Sequence, residues 1–389
     1  MNKLLASATL VAASLLAPLS AFAADAPPVV PIAKPAVEDK PRIDVVFAID
    51  CSGSMGGVIE TAKQKVWAIV NEVARAKPAP ELRIGLLAYG NAMGPFRAYP
   101  LSSDLDEVYK NLLTFKDEGW GDEYVGLAVH RATADMKWAD GKQVYKVIYV
   151  VGNETARQGP AEFDYAKTAP GAIAKGIVVN AIYCGNTDYA TATPTWREIA
   201  KLADGSYMEI AGQGGAVVVA SPFDKELADL SGKLNTTYVG YGQQRAEKAA
   251  AQSAADSSAG GFSAASAADR AVSKSSRQYD NAHWDLVDAQ KNLKDFDVTK
   301  LKEEELPEEM RKMTPDQRKA HVDAKARERA EISKQIQDIS AKRDAYVKEE
   351  VAKKGLDTNK AFDDAVRRSI NEQAAKRGFQ FEGTEPPKK

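Results

Sequence analysis

The chain has 389 residues, of which 44% are hydrophobic and 27% are charged. This composition is ordinary for a globular protein and allows a substantial core, and the length suits one large domain with an appendage, or two domains. The 52 basic and 54 acidic side chains almost cancel, so nothing indicates the basic face that binding to nucleic acid requires.

The N-terminus has the pattern of a secretory signal peptide. Lys3 precedes an apolar run over residues 4–19, which is followed by the small-residue motif Ala21-Phe22-Ala23. The run is too short to span a bilayer comfortably, and no later segment has the length and hydropathy of a transmembrane helix. We therefore predict that residues 1–23 are cleaved off and that the mature chain is exported, to the periplasm, without a transmembrane anchor.

Strands alternate with helices after a Pro- and Ala-rich stretch over residues 24–41, which we expect to be an extended linker. Strands are predicted at residues 43–49, 82–89, 96–101, 144–151, 177–183 and 207–210, and helices at 58–73, 104–115, 123–138, 160–175, 194–203 and 223–234. This alternation requires crossover connections between parallel strands. Residues 42–242 are therefore predicted to form an α/β domain, a doubly wound, mainly parallel sheet with helices on both faces.

The composition changes after residue 242. Residues 243–276 are rich in Ala and Ser and predict a flexible or weakly helical linker. Residues 277–389 are strongly charged and favour a helical extension, in which Ile332, Ile336 and Ile339 form one apolar stripe. We expect this stripe to pack against the first half of the extension as a helical hairpin. The α/β domain and a coiled coil with another chain are the alternative partners.

The segment Asp50-Cys51-Ser52-Gly53-Ser54 connects the first predicted strand to the first helix and has the pattern of a metal site. In parallel α/β sheets, ligands bind in the crevice outside the carboxyl ends of the strands. One carboxylate and two hydroxyls on a tight loop supply only oxygen ligands, which suit a hard cation such as Mg²⁺ or Mn²⁺. The alternative is a structural role, in which Ser54 caps the following helix.

Over about residues 42–240 the sequence resembles the von Willebrand factor type A (vWA) family, in which a D-x-S-x-S loop begins a metal-ion-dependent adhesion site. The second loop of that site is matched by residues 119–123, which are similar to a G-G-G-D variant and imply Asp122 as a ligand. The third loop follows the strand at 144–151, where many members carry T-D-G and this chain has Gly152-Asn153-Glu154. The resemblance therefore implies Mg²⁺ or Mn²⁺ bound by Asp50, Ser52, Ser54, Asp122 and Asn153, with Glu154 contributing directly or through water.

A count of charges supports this ligand set. Asn153 brings no charge, but Asp122 restores the two carboxylates of the commoner pattern. Such a site leaves one coordination position open, and the electron-poor ion favours an anion from outside. We therefore expect an exported, metal-dependent protein-binding module, for adhesion or scaffolding, that binds a carboxylate of a protein partner. The alternative is a metal-free scaffold that acts through its helical tail in the cell envelope.

The sequence gives little support for an enzyme. The histidines, His130, His283 and His321, show no metal-ligand spacing, and the nucleophile motif G-x-S-x-G is absent around the serines. A subunit coupled to an ATPase is also disfavoured, because ATP is not available outside the cytoplasm. The two cysteines, Cys51 and Cys184, are either a disulfide, which export permits, or two small buried thiols.

Overall fold

The computed structural model describes residues 40–90, 96–119, 121–185 and 189–381. The predicted signal peptide and nearly all of the predicted leader linker lie outside these residues. Within the described residues, six strands form one sheet in the order β3-β2-β1-β4-β5-β6. The strands are β1 (Arg42–Asp50), β2 (Glu81–Tyr89), β3 (Arg97–Ser102), β4 (Val144–Gly152), β5 (Val178–Tyr183) and β6 (Tyr207–Glu209).

Strand β1 lies inside the sheet, and all of its residues after Arg42 are buried. It pairs in parallel with β2 on one side and with β4 on the other, and β3 runs antiparallel to β2 at one edge. Strands buried on both faces are typical of parallel sheets covered by helices. The register places Asp50 opposite Tyr89 and Ile49 opposite Val151, so the chain leaves β1 and β4 at the same carboxyl edge of the sheet.

Helices cover both faces of this sheet. On one face lie α1 (Gly56–Ala74) and α2 (Leu105–Leu113), and on the other lie α3 (Val125–Asp135), α4 (Tyr165–Ile173) and α5 (Tyr189–Leu202). Helix α6 (Asp224–Asn235) follows β6. The predicted doubly wound α/β fold is therefore confirmed.

The segment expected to be a linker is helical and packed. It contains α7 (Arg245–Phe262) and α8 (Ala264–Lys274), and Ala255 and Ala259 of α7 lie in the same core as β1 and α1. Alanine has the highest intrinsic helix propensity, and its small side chain lets helices approach closely. A composition that resembles a linker thus forms packed helices, and the described residues belong to one compact unit.

The helical extension contains α9 (Leu286–Asn292), α10 (Pro315–Lys354) and α11 (Phe362–Ala375). Ile332 and Ile336 of the apolar stripe are buried against leucines of α6 and alanines of α8. The expected hairpin forms only at the start of α10, where Val322 packs with Leu286 and Val287. The stripe therefore packs against helices outside the extension, and no helix of the described residues combines the length and hydropathy needed to cross a membrane.

One buried cation attaches α7 and α8 to the sheet-covering helices. Arg270 of α8 is 1% exposed, and its guanidinium lies 4.4 Å from the ring of Trp67 and 4.8 Å from the ring of Tyr279. It forms ion pairs with Asp106 at 2.6 Å and with Asp256 at 2.9 Å. A buried charge is tolerated only when it is paired and hydrogen-bonded, so these four partners fix how α8 packs.

We expect Arg270→Met to lower the free energy of unfolding by about 3–5 kcal/mol, because it leaves the buried Asp106 carboxylate without its cation. The matched control is Lys225→Met, which removes a cation that is 85% exposed in its pair with Asp229 and should cost less than about 1 kcal/mol. Urea unfolding measures both values. Similar losses in the two variants would show that the Arg270 network does not hold α8 in place.

Candidate metal centre

The loop of residues 51–55 lies at the carboxyl edge of the sheet, as the sequence predicts. Ser54 is exposed and has a left-handed backbone conformation, with φ of 85°, which is uncommon for a residue other than glycine. Its N–H donates to Asp117 Oδ2 at 3.1 Å, so the second loop holds this turn. Helix α1 has Met55 at its N-cap without a side-chain cap, and the alternative role of Ser54 as a helix cap is not observed.

Ser52 lies between two buried carboxylates. Its N–H and its hydroxyl contact the two oxygens of Asp50, each at 2.8 Å, and the same hydroxyl is 3.1 Å from Glu123 Oε1. Asp50 is 0% exposed and Glu123 is 1% exposed. A serine hydroxyl has one proton to donate, so it cannot satisfy both carboxylates when both are ionised.

Glu123 is fixed in this position by the third loop. Its N–H donates to Gln158 Oε1 at 2.7 Å, and its Oε2 accepts from the Glu154 N–H at 3.3 Å. Gln158 in turn donates from Nε2 to Glu154 Oε2 at 2.7 Å. The second and third loops are therefore tied together around the Glu123 carboxylate.

Asp122, which the family resemblance implied as a ligand, takes no part in the hydrogen bonds that join Asp50, Ser52 and Glu123. It is exposed, and within the described residues it makes no hydrogen bond or ion pair with Asp50, Ser52 or Ser54. Helix α3 begins at Val125 rather than at the predicted residue 123, so Glu123 remains in the loop and turns inward. The adjacent Asp-Glu pair in the sequence is the signal that could have pointed to Glu123, which is the acid of this loop that contacts Ser52.

Asn153 and Ser54 meet across the first and third loops. Asn153 Nδ2 donates to Ser54 Oγ at 2.6 Å. The Oδ1 atom of Asn153 is buried and has no hydrogen-bond partner among the described residues. Unpartnered buried oxygens are rare and call for an explanation such as an ion, so the structure brings together Asp50, Ser52, Ser54, Asn153 and Glu123.

Burial shapes the electrostatics of this cluster. It raises the pKa of Asp50 despite hydrogen bonds from Glu123 and Ser52 that lower it. It raises the pKa of Glu123 far more strongly, and the nearby charges of Asp50 and Glu154 raise that pKa further. Two close carboxylates in a low-dielectric site cannot both ionise without a cation, so Glu123 keeps its proton at neutral pH in the metal-free protein.

The cluster fits a hard divalent cation. Two carboxylates, two hydroxyls and an unpartnered amide oxygen form an all-oxygen donor set, which Mg²⁺ and Mn²⁺ prefer. Within the described part of the chain, no group of three or more His, Cys, Asp or Glu residues is placed to hold a metal. The candidate site therefore depends on its serines and on Asn153 as much as on its carboxylates.

The cysteines near this edge are two free, buried thiols. Cys184 Sγ donates to the Gly152 carbonyl at 3.2 Å and lies 3.6 Å from Met55 Sδ. Burial raises the pKa of the Cys51 thiol to about 12, so this thiol is not ionised at neutral pH. Of the two alternatives that the sequence left open, the structure has the pair of buried thiols.

Residues 44–204 match the family model of the von Willebrand factor type A domain. This chain contains a vWA domain. Among solved structures it is similar to the conserved hypothetical protein BatB from Bacteroides thetaiotaomicron, with 20% identity over 43% of this chain and 90% of that chain and a TM-score of 0.35. No curated protein matches the chain.

Two further solved structures are similar to the vWA domain. Proximal thread matrix protein 1 from the mussel byssus, whose adhesion-site motif is occupied by zinc, has 14% identity over 45% of this chain and 43% of that chain, with a TM-score of 0.35. The pilus adhesin SpaC from Lactobacillus rhamnosus GG has 14% identity over 45% of this chain and 28% of that chain, also with a TM-score of 0.35.

The raised pKa of Glu123 makes the metal-free protein less stable as pH rises. The unfolded chain releases this proton near pH 4.3 and the folded chain retains it, so the contribution is unfavourable above about pH 4.3 and grows with pH. We expect Glu123→Gln to raise the free energy of unfolding of the chelator-treated protein at pH 8 by about 1 kcal/mol or more, with little effect at pH 4. Urea unfolding at the two pH values measures this.

The control for this variant is Asp122→Asn, the exposed neighbouring acid, which should leave the pH dependence unchanged. If Glu123→Gln and Asp122→Asn gave the same pH dependence as the wild type, Glu123 would not be the buried acid that retains its proton.

Proposed function

We propose that this chain is an exported, metal-dependent protein-binding module that binds a carboxylate of a protein partner through Mg²⁺ or Mn²⁺ at the edge of its vWA domain. The observation that carries the proposal is the Ser52 hydroxyl between the buried Asp50 and Glu123 carboxylates, beside the unpartnered Asn153 Oδ1. A divalent cation there would satisfy all three groups at once. The vWA family as a whole is one of interaction and adhesion domains.

The proposed ligands are Asp50, Ser52, Ser54, Glu123 and Asn153, with Glu154 acting through water or through its contact with Glu123. Two carboxylates balance the charge of a divalent ion, and the remaining donors are neutral. Ser54 is exposed at the mouth of the site, so an outside oxygen has access to the remaining coordination position. A carboxylate is the anionic group that proteins most commonly offer there.

A metal-free scaffold is the second candidate, and one observation favours it. Burial and the nearby Asp50 charge raise the pKa of Glu123, so a proton shared between the two carboxyls is an alternative to a cation. The helices after residue 242 pack extensively on the vWA domain and would supply the binding surface. In this reading the chain acts in the cell envelope through its helical extension.

We also propose that the chain has no catalytic activity and no nucleic-acid partner, and that it acts in the periplasm. The buried cysteines are poor nucleophiles, and the near-zero net charge disfavours phosphate binding. The signal-peptide pattern supports export without a transmembrane anchor.

Metal titration tests the proposed ligand set. We expect wild-type protein to bind one Mn²⁺ in calorimetry, Asp50→Ala to abolish binding, and Asp122→Ala, the matched neighbouring acid, to bind as the wild type does. The reason is that Asp50 contacts Ser52 within the cluster whereas Asp122 is exposed. No heat with either Mn²⁺ or Mg²⁺ at millimolar concentration would favour the metal-free scaffold, and a loss on Asp122→Ala would restore that residue as a ligand.

A further inference from the structure

One exposed carboxylate outside the proposed ligand set joins the first two loops of the metal centre. Asp117 follows α2 and lies in the second loop, and its Oδ2 accepts from the Ser54 N–H of the first loop at 3.1 Å. Its Oδ1 accepts from the Gly119 N–H of its own loop, also at 3.1 Å. A carboxylate is a strong hydrogen-bond acceptor, so Asp117 ties the Ser54 backbone to the second loop.

Ser54 needs such a tie because of its backbone conformation. Its φ of 85° lies in the left-handed region, which is unfavourable for residues that carry a Cβ because this atom approaches a backbone carbonyl oxygen. A conformation of this kind persists only where the surrounding structure enforces it. The other contact is with Asn153, whose Nδ2 donates to Ser54 Oγ at 2.6 Å. Asp117 therefore holds the main chain of Ser54, and Asn153 holds its hydroxyl.

The backbone conformation matters because Ser54 Oγ is one of the proposed ligands. With φ of 85°, this hydroxyl lies within hydrogen-bond distance of Asn153, the proposed ligand of the third loop. A right-handed or extended backbone at Ser54 would redirect its Cα–Cβ bond and move the hydroxyl away from Asn153. Without Asp117, the ion would have to restore the left-handed backbone when it binds, and this cost would reduce its affinity.

The two loops stay in contact without this carboxylate. The Glu118 N–H donates to the Cys51 carbonyl at 2.9 Å, so the two backbones also meet directly beside the turn. Removing the Asp117 side chain therefore releases the Ser54 N–H without separating the loops. The fold should tolerate this change, because Asp117 is exposed and forms no ion pair with a basic side chain among the described residues.

We infer that Asp117 is a positioning residue of the metal centre, which raises the affinity for a divalent ion by holding Ser54 in its left-handed conformation. The inference rests on the proposed function, because it concerns the same metal site. Asp117 acts through the Ser54 N–H and is not itself a ligand. The D-x-S-x-S pattern does not include this residue, and its contact with Ser54 joins positions that are 63 residues apart in the sequence.

Calorimetric titration of the full chain with Mn²⁺ tests this role in a double-mutant cycle. We expect Asp117→Ala to weaken Mn²⁺ binding about tenfold, as the loss of a residue that orients a metal ligand commonly does. The matched control is Asp122→Ala, another exposed acid of the second loop, which should leave the affinity unchanged. Ser54→Gly removes the hydroxyl ligand and weakens binding by itself, but glycine adopts the left-handed conformation without support. In the Ser54→Gly background, Asp117→Ala should therefore change the affinity by less than about twofold.

The cycle separates positioning from direct ligation and from a simple effect of charge. If the loss on Asp117→Ala persisted undiminished in the Ser54→Gly background, Asp117 would act as a ligand or through its charge, and the inference would be overturned. Unchanged Mn²⁺ affinity in Asp117→Ala, with the wild type still binding the ion, would also overturn it and would leave the proposed function intact. Failure of the wild type to bind Mn²⁺ would contradict the proposed function and the inference together. Thermal unfolding of the metal-free variants checks that each of them retains the fold.

Discussion

The contact of the Ser52 hydroxyl with the Asp50 and Glu123 carboxylates is the interaction on which the candidate metal centre depends. Two buried acids so close together are electrostatically unfavourable, and the surrounding loops are arranged to tolerate them. Gln158 and Glu154 hold Glu123 from one side. A proton retained on Glu123 removes the repulsion between the two carboxylates. A divalent cation bound between them would instead neutralise both negative charges. The same geometry is therefore compatible with a proton retained on Glu123 and with a bound divalent cation.

The helices after residue 242 are part of the domain that supports this edge. Arg270 forms ion pairs with acids of two different helices, and its guanidinium packs against two aromatic rings. The ring centroid of Phe362 in α11 lies 6.1 Å from that of Phe47 in β1. A partner that contacts α10 or α11 therefore acts on a surface continuous with the core of the vWA domain.

The sequence was most informative where hydrophobic pattern and chain topology agree. The apolar run 43–49 required a buried parallel strand, and a buried strand placed Asp50 and its serines at the carboxyl edge of the sheet. The choice between Asp122 and Glu123 could not be made in the same way, because it depends on where α3 begins and which way one loop turns. The Ala- and Ser-rich stretch suggested a linker because composition does not record that Ala255 and Ala259 fit against a neighbouring helix. The partner of Ile332 and Ile336 was likewise a matter of tertiary packing.

The central claim is that Asp50, Ser52, Ser54, Glu123 and Asn153 together hold a divalent ion. Crystals of the mature chain soaked in MnCl₂, with diffraction data collected to reveal the anomalous signal of manganese, test this most directly. The account predicts one strong anomalous peak bounded by Asp50, Ser52, Ser54, Glu123 and Asn153, at coordination distances of about 2.0–2.3 Å. No peak at this edge, or a peak coordinated by Asp122 with Glu123 still bonded to Ser52, would contradict it.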